Sequence, residues 1–407
     1  METRAMRESE IEECIDLAYL VFPDTTSPRF RHHLTDDSSF ELEQARVCIA
    51  DGRIVSFVRV SDRPIHVGFA VVRMGGIGAV ATHPDCRGRG CSTALLWDAV
   101  HYMERAGYDL SMLFTHQQRH YAKVGWAACF PEHSYSLPPG EPPEVETPYS
   151  LRPFDEARDL DAVMAIYNRY TEERSGTLAR PRQYWLDRHS RTMGVLPNTV
   201  VERDGEMVAY LRGTETNFGE LAYLPGHAEA VVPLCVRAMR AAVAAADPTT
   251  APRVTGQLPR SHPALELLLR WNAPRGPVNQ ENEGMMLRVI RLAPLMQQVA
   301  PVLERRLAQA GLLPRRVTVI LRELGQAVRV VINGRHLHVE ACDVGDSGDI
   351  TLEPGTRSFF ELLFGDSTFG QLRELIPGAD AVAPQDAVLL EVLFPKQEPV
   401  YFGCDHF

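Results

Sequence analysis

The chain has 407 residues, with 42 Lys or Arg against 53 Asp or Glu, a formal net charge of −11; 45% of residues are hydrophobic and 23% charged. This composition excludes collagen-like, disordered and coiled-coil classes, which need strong bias, and the length predicts two or three domains, each with its own core. The acidic balance argues against nucleic acid as main partner, because phosphate binding needs clustered Lys and Arg, and is compatible with a cationic substrate.

Met1 to Glu10 is highly charged and lacks the apolar core of a secretory signal. No apolar run approaches the roughly 18 residues of a spanning helix. The eight cysteines, at 14, 48, 86, 91, 129, 235, 342 and 404, are scattered without a C-x-x-C pair. A chain of this size needs no disulfide staples, so they read as free thiols of a reducing cytoplasm. Glu10 to Leu20 is predicted as a helix with Ile11, Cys14, Ile15 and Ala18 on one face, and Ser9 with Glu12 suits a capping box at its start. Arg46 to Ala50 and Arg53 to Val60 form a predicted hairpin about Asp51-Gly52. Val67 to Arg73 and Ile77 to Thr82 are further predicted strands. Thr93 to Ala106 is a predicted helix with Leu95, Leu96, Ala99 and Met103 inward and Gly107 as its C-terminal cap. Leu110 to Phe114 is again a strand.

Leu137 to Pro148 holds five prolines and a glycine and reads as a connector. Beyond it a second amphipathic helix, Asp159 to Tyr170, is followed by Val200 to Arg212 (VVERDGEMVAYLR), which aligns with Val47 to Arg59 (VCIADGRIVSFVR). The D-G turns superimpose, as do Ile54 with Met207, Val55 with Val208 and Phe57 with Tyr210, which predicts a duplicated fold. A third region starts near Met286. Helical sequence runs from Val289 to Ala310, with Pro294 and Pro301 expected to start, kink or divide it. Strands at Val317 to Leu321 and around Val328, Val330 and Ile332 follow, with Asn333-Gly334 as a turn. An apolar strand, Ala387 to Phe394, and an aromatic tail, Tyr401 to Phe407, end the chain.

The informative stretch is Gly78 to Thr93, G-A-V-A-T-H-P-D-C-R-G-R-G-C-S-T. A strand ends at Thr82, Pro84 stops it, and a loop rich in Arg and Gly leads into a helix. Gly88 and Gly90 permit close backbone approach and unusual dihedrals. Loop amides and a helix N-terminus converge on one spot, which favours phosphate. Arg87 and Arg89 add charge, and Ser92 and Thr93 can donate from the first turn. A Walker A loop is excluded because it needs a Lys that is absent. Gly75-Gly76-Ile77-Gly78 enters a strand instead of opening a helix, so it is no dinucleotide fingerprint. The stretch reads as a pyrophosphate cradle.

Arg87-x-x-Gly90-x-Ser92 after a strand resembles the pyrophosphate motif of the GNAT superfamily of N-acetyltransferases, with Ser where the family has Gly or Ala. The resemblance implies acetyl-CoA as cosubstrate, bound by the backbone of Val80, Ala81 and Thr82 and by Arg87, Gly88, Arg89, Gly90, Cys91, Ser92 and Thr93. His116 and Gln117 fall where the family's later strand meets the pantetheine. His120-Tyr121-Ala122-Lys123-Val124-Gly125-Trp126 resembles the family's Tyr-x-x-x-Gly-aromatic turn, which makes Tyr121 the general acid for the departing thiolate. Tyr has an unperturbed pKa of about 10 and Cys of about 8.5, so that transfer is cheap. Leu221 to Val236 has no such motif, so a second copy would have lost the cofactor.

The layout resembles the enhanced intracellular survival (Eis) family, whose fold class is mixed α/β (α+β). It implies a catalytic GNAT domain at 1–140, a degenerate GNAT-like domain at 141–285 and a sterol-carrier-protein-like domain at 286–407. It also implies a homo-oligomer, a hexamer by family likeness, and a C-terminal carboxylate that reaches the active site, a role that falls on Phe407. His406 is an alternative base. The family's catalytic serine is Gly78 here, which leaves the proton path open. Acceptors implied are aminoglycoside or polyamine-like amines or lysine side chains. The alternative class is a non-catalytic ligand- or lipid-binding protein that uses transferase folds as scaffold. No metal is predicted: His336-x-His338 lacks a third ligand, His32-His33 with Asp36 and Asp37 lacks ligand spacing, and Cys86 and Cys91 read as packing residues.

Overall fold

The computed structural model describes residues 1–23, 29–129, 132–138, 140–245, 253–271, 278–282, 284–308 and 314–407. Its first sheet contains β1 (Glu2–Ala5), β2 (Ala45–Ala50), β3 (Arg53–Asp62), β4 (Met74–Thr82), β5 (Leu110–Phe114), β6 (Ala127–Ala128) and β7 (Met285–Val289), in the order β1-β2-β3-β4-β5-β7-β6. β2 and β3 turn at Asp51-Gly52, both at positive φ (50° and 74°), the turn whose twist matches that of the flanking strands. On one face lies α1 (Ile11–Val21); on the other lies α2 (Cys91–Ala106), whose Leu95, Leu96, Ala99 and Met103 are fully buried. Gly107, at φ 85°, caps α2.

The second sheet repeats the first. Its strands run Tyr149–Pro153, Thr199–Arg203, Glu206–Gly213, Asn217–Tyr223, Val254–Gly256, Glu132–Leu137 and Val278–Asn282 in spatial order. Asp204-Gly205 again turns with both residues at positive φ. The aligned hairpins bulge at the same place, between Cys48 and Ile49 in one and between Val201 and Glu202 in the other. In both sheets the fourth strand pairs in parallel with the fifth.

The sheets cross the expected boundaries at 140 and 285. Glu132–Leu137 leaves the first unit to sit beside Val254–Gly256, while β7, from the far end of the second, sits beside β5. Each sheet is thus completed by a strand from beyond the other. Met285, Met286, Leu287 and Val289 in β7 are all buried, because α2 lies on one face and the third unit on the other. The third unit has a four-stranded sheet ordered His336–Cys342, Gln326–Asn333, Arg315–Leu321, Ile350–Leu352, with the helices Leu292–Leu307, Thr356–Phe364 and Pro384–Leu393.

Several local expectations shift. Ser9 does not cap α1; a 3-10 turn at Glu8–Glu10 precedes it, and the Glu10 carboxylate accepts the N–H of Arg7 (2.8 Å). Val67 to Arg73 is not one strand but the end of a small hairpin, Ile65–Val67 with Ala70–Val72, turning at Gly68 (φ 57°). The helix predicted from Val289 starts at Leu292 and continues through Pro301. The turn predicted at Asn333-Gly334 lies one residue on, because Asn333 pairs with His336. Ala387 to Phe394 belongs to a helix, not a strand. Its run is apolar but for Glu391 and shows no clear period, and Pro384 at the first helical position sets the start.

Candidate active site

β4 pairs in parallel with β5 only at Met74–Leu110, Gly75–Ser111 and Gly76–Met112. Beyond Gly76 the two strands part, so the outer edge of β4 offers its peptide groups to a cleft. On its other edge the register with β3 slips between Phe57 and Arg59, where Ala79 takes a left-handed φ of 52°. Such a bulge bends the strand and is costly without glycine, so the surrounding packing must hold it. The cleft measures about 840 Å³.

At the end of β4 the 3-10 turn Pro84–Cys86 leads to Gly88 (φ 76°) and Gly90 (φ 79°). A Cβ on either would meet open space, so glycine is needed there for φ and not for room. Gly90 precedes α2 and no side chain caps the helix. The first N–H groups of α2, on Cys91, Ser92 and Thr93, therefore lack helical partners, and together with the nearby Arg87 they are chemically suited to an anion. In the second copy the counterpart helix Val231–Ala244 has Glu229 just before it and Pro233 in its first turn. An acid and a missing donor both disfavour an anion there.

Tyr121 lies on the short helix α3 (Gln118–Ala122), across the cleft from β4. Gly125 (φ 89°) lets the following turn pass beneath Arg288 of β7, whose guanidinium donates to the carbonyl of Val124 and lies over the rings of Trp97 and Trp126 (5.2 and 5.7 Å). Burial pushes the Tyr121 phenol up to about 12, so it is protonated at neutral pH but gives up its proton less readily than the free side chain, and transfer to a thiolate costs more than the unperturbed values imply. Burial, aided by Lys123, lowers the pKa of His120, whose Nε2 lies 2.8 Å from Ser92 Oγ. That contact joins the turn bearing Tyr121 to the loop at the start of α2.

The chain terminus enters the same cleft. Phe407 is 8% exposed, and its ring packs on Phe114 and over Gly76. A Cβ on Gly76 would lie 2.6 Å from that ring, and one on Gly78 would lie 3.0 Å from the carbonyl oxygen of Phe407. Glycine at 78 thus leaves room for the main chain of Phe407. His406 packs tilted against Phe114 (3.9 Å) and is not among the residues lining the cleft.

The structure brings Val80, Thr82, Arg87, Gly88, Gly90, Cys91, Ser92, Thr93, Gln117, Tyr121 and Phe407 to one cleft. Ala81, Arg89 and His116 are not among its lining residues. Ala81 points into the core beside α1, Arg89 and His116 are exposed, and His116 lies in the loop after β5. Sequence reasoning missed Val21, Phe22, Phe114, Lys123 and His120, which also line it. Lys123 and His120 sit inside the Tyr-x-x-x-Gly-aromatic turn and were legible there; Phe22 was not, since the fold alone brings it across. His338 pairs with Glu340 (2.9 Å), and among the described residues no three His, Cys, Asp or Glu side chains are arranged to hold a metal ion. Among them too, no helix is long and apolar enough to cross a membrane.

Residues 2–129 match the family model for the acetyltransferase (GNAT) domain. No curated protein matches the chain. Among solved structures, a conserved protein of unknown function from Enterococcus faecalis is similar over 100% of this chain and 99% of its own, at 16% identity and a TM-score of 0.73. A GCN5-related N-acetyltransferase from Anabaena variabilis matches over 98% of this chain and 99% of its own (14%, TM-score 0.73). Eis1 from Mycobacterium abscessus matches over 100% of each (15%, TM-score 0.67). At these identities the likeness is one of fold, and it extends over the whole chain.

Proposed function

We propose that this protein is an acetyl-CoA-dependent N-acetyltransferase that acetylates a primary amine of a cationic small molecule, aminoglycoside or polyamine-like, or of a lysine side chain. One observation carries the reading: Arg87, the free N–H groups at the start of α2, Tyr121 and Phe407 come from distant parts of the chain and line one cleft. Acetyl-CoA supplies the thioester. Its pyrophosphate suits the N–H groups of Cys91 to Thr93 with Arg87, and Lys123 and His120 lie within the same cleft. The released edge of β4 suits the amide groups of the pantetheine arm.

The amine attacks the acetyl carbonyl, a C–N bond forms and the C–S bond breaks. The Phe407 carboxylate, directly or through a water, takes the proton the amine loses; with an unperturbed pKa of about 3.5 it acts by position more than by basicity. The Tyr121 phenol gives its proton to the sulfur. Peptide N–H groups of β4 that face the cleft near Val80 and Thr82 would serve to stabilise the negative charge that develops on the carbonyl oxygen. The unit built on the first sheet, with Met285–Val289 as one of its strands, carries the cradle and Tyr121; the unit built on the second sheet, with Glu132–Leu137, is the silent copy; the third unit, sterol-carrier-like, ends in the tail whose Phe407 reaches the cleft.

The test is thiol release from acetyl-CoA with a panel of amines. Turnover is expected with at least one, and Tyr121→Phe should lower kcat by about 10²–10⁴-fold. Absence of turnover with every amine, with Tyr121→Phe indistinguishable from wild type, would refute the reading.

A further inference from the structure

The last residues of the chain are gripped by the second copy. Arg180 is fully buried, and its guanidinium forks between two equally buried carboxylates. Nε donates to Asp405 Oδ1 (2.9 Å) and Nη2 to Asp405 Oδ2 (2.7 Å), while Nη1 and Nη2 donate to Glu220 Oε1 and Oε2 (3.1 and 2.7 Å). The Tyr184 hydroxyl donates to Asp405 Oδ1 (2.9 Å), and that of Tyr210 to Glu220 Oε1 (2.5 Å). Arg212 stands 3.8 Å from Glu220, so two positive charges face two negative ones. The plane of Arg180 lies over the rings of Tyr167 (4.0 Å) and Trp185 (4.9 Å).

Buried ion clusters are poor sources of stability, because desolvation offsets most of the attraction and apolar packing does as well. What a bidentate fork adds is orientation. Asp405 is two residues from the terminus, a span of at most about 7 Å. The Tyr401 hydroxyl holds the carbonyl of Asp405 (2.6 Å), so both ends of that residue are fixed.

The position of Glu220 is informative. Arg59 and Arg212 occupy equivalent places in the two aligned hairpins; the cross-strand partner of Arg59 is Gly78, and that of Arg212 is Glu220. Gly78 admits the Phe407 carbonyl in one copy, and at the matching place in the other Glu220 holds the arginine that grips Asp405. We propose that the second copy, without a cofactor cradle of its own, serves as a clamp that sets the terminal carboxylate against the thioester. Arg180 is its positioning residue, supported by Glu220 and acting through Asp405. The clamp rests on the reading of Phe407 as proton acceptor.

The experiment compares full-length wild type, Arg180→Met, Asp405→Asn, a deletion of Phe407, and the deletion combined with each substitution. Measured are kcat at saturating substrates, acetyl-CoA affinity by calorimetry and the unfolding midpoint. Arg180→Met and Asp405→Asn should each lower kcat by about 10²-fold, the loss expected from a misplacement near 1 Å, with acetyl-CoA affinity unchanged. Where Phe407 is already deleted, the same substitutions should lower the midpoint as before yet leave the residual kcat unchanged. A further fall in kcat there, by the factor seen in the intact chain, marks a purely structural role and overturns the clamp. Deletion that costs turnover, beside Arg180→Met and Asp405→Asn at wild-type kcat, also overturns it while leaving Phe407 as base. Deletion without any loss overturns the reading of Phe407 and the clamp with it.

Discussion

Gly76→Ala tests whether the terminus belongs to the chemistry, using one methyl group. The added Cβ would lie 2.6 Å from Cε2 and Cζ of Phe407 and 2.7 Å from Cδ2. Carbon atoms rest about 3.5–4.0 Å apart, so the ring must withdraw by about 1 Å. The backbone of β4 cannot yield easily, since Gly75, on the opposite face, already stands against Met103 of α2. Crowding of this kind costs about 1–3 kcal/mol of stability. The ring and the carboxylate belong to one residue, so the shift also displaces the proposed proton acceptor. A 1 Å displacement costs about 10²-fold in rate, about 2.7 kcal/mol in barrier. Steady-state thiol release should show that fall in kcat, while calorimetry with acetyl-CoA should show unchanged affinity, since the loop from Arg87 to Thr93 is untouched. Gly78→Ala, whose Cβ would lie 3.0 Å from the Phe407 main-chain oxygen and 3.8 Å from its ring, should lower kcat as well by crowding the proposed proton acceptor directly, with a smaller loss of stability. Wild-type kcat in Gly76→Ala, or an equal loss of cofactor affinity, would refute the reasoning.

Arg87→Gln should weaken acetyl-CoA binding by about tenfold, flatten its dependence on salt and leave kcat at saturation unchanged, because an exposed charge facing a phosphate contributes about 1–2 kcal/mol; an unchanged dissociation constant would remove Arg87 from the site. His262 is held neutral, accepting the N–H of Ala264 at Nδ1 (3.1 Å) and donating from Nε2 to the carbonyl of Leu221 (3.1 Å), and burial pushes its pKa down to about 3. As pH falls below about 6.5 the unfolded chain takes up a proton that the native chain refuses. Native stability should then drop by up to about 1.4 kcal/mol per pH unit from this group, a loss that is absent above pH 6.5. Denaturant titrations at pH 7 and pH 5 would read it, and His262→Gln with the same pH dependence as wild type would contradict the assignment.

Local periodicity and turn chemistry carried much of the fold. The D-G turns, the inward face of α2 and its cap at Gly107 depend on residues adjacent in sequence, and they lie where their spacing puts them. Errors fell where a tertiary partner decides. The apolar run from Ala387 to Phe394 suits strand or helix equally until packing chooses. β7 completes the first sheet because β5 would otherwise present a bare edge, which no local pattern announces.

The same division holds at the candidate site. By itself the sequence marked the loop from Arg87 to Thr93 as a candidate anion site, because an Arg- and Gly-rich loop between a strand and a helix leaves backbone amides without helical partners. It also located Tyr121, through a turn whose Gly125 must take positive φ. It placed Phe407 only through the family's likeness, and it left Gly76 and Gly78 as glycines without a purpose. Only the tertiary structure set Phe407 against these two glycines, where a Cβ on either would meet it. Only it joined Asp405 to Arg180 and Glu220 across the molecule. Close approach and buried ion pairing are relations between distant segments, and a single chain read in order holds no local trace of them.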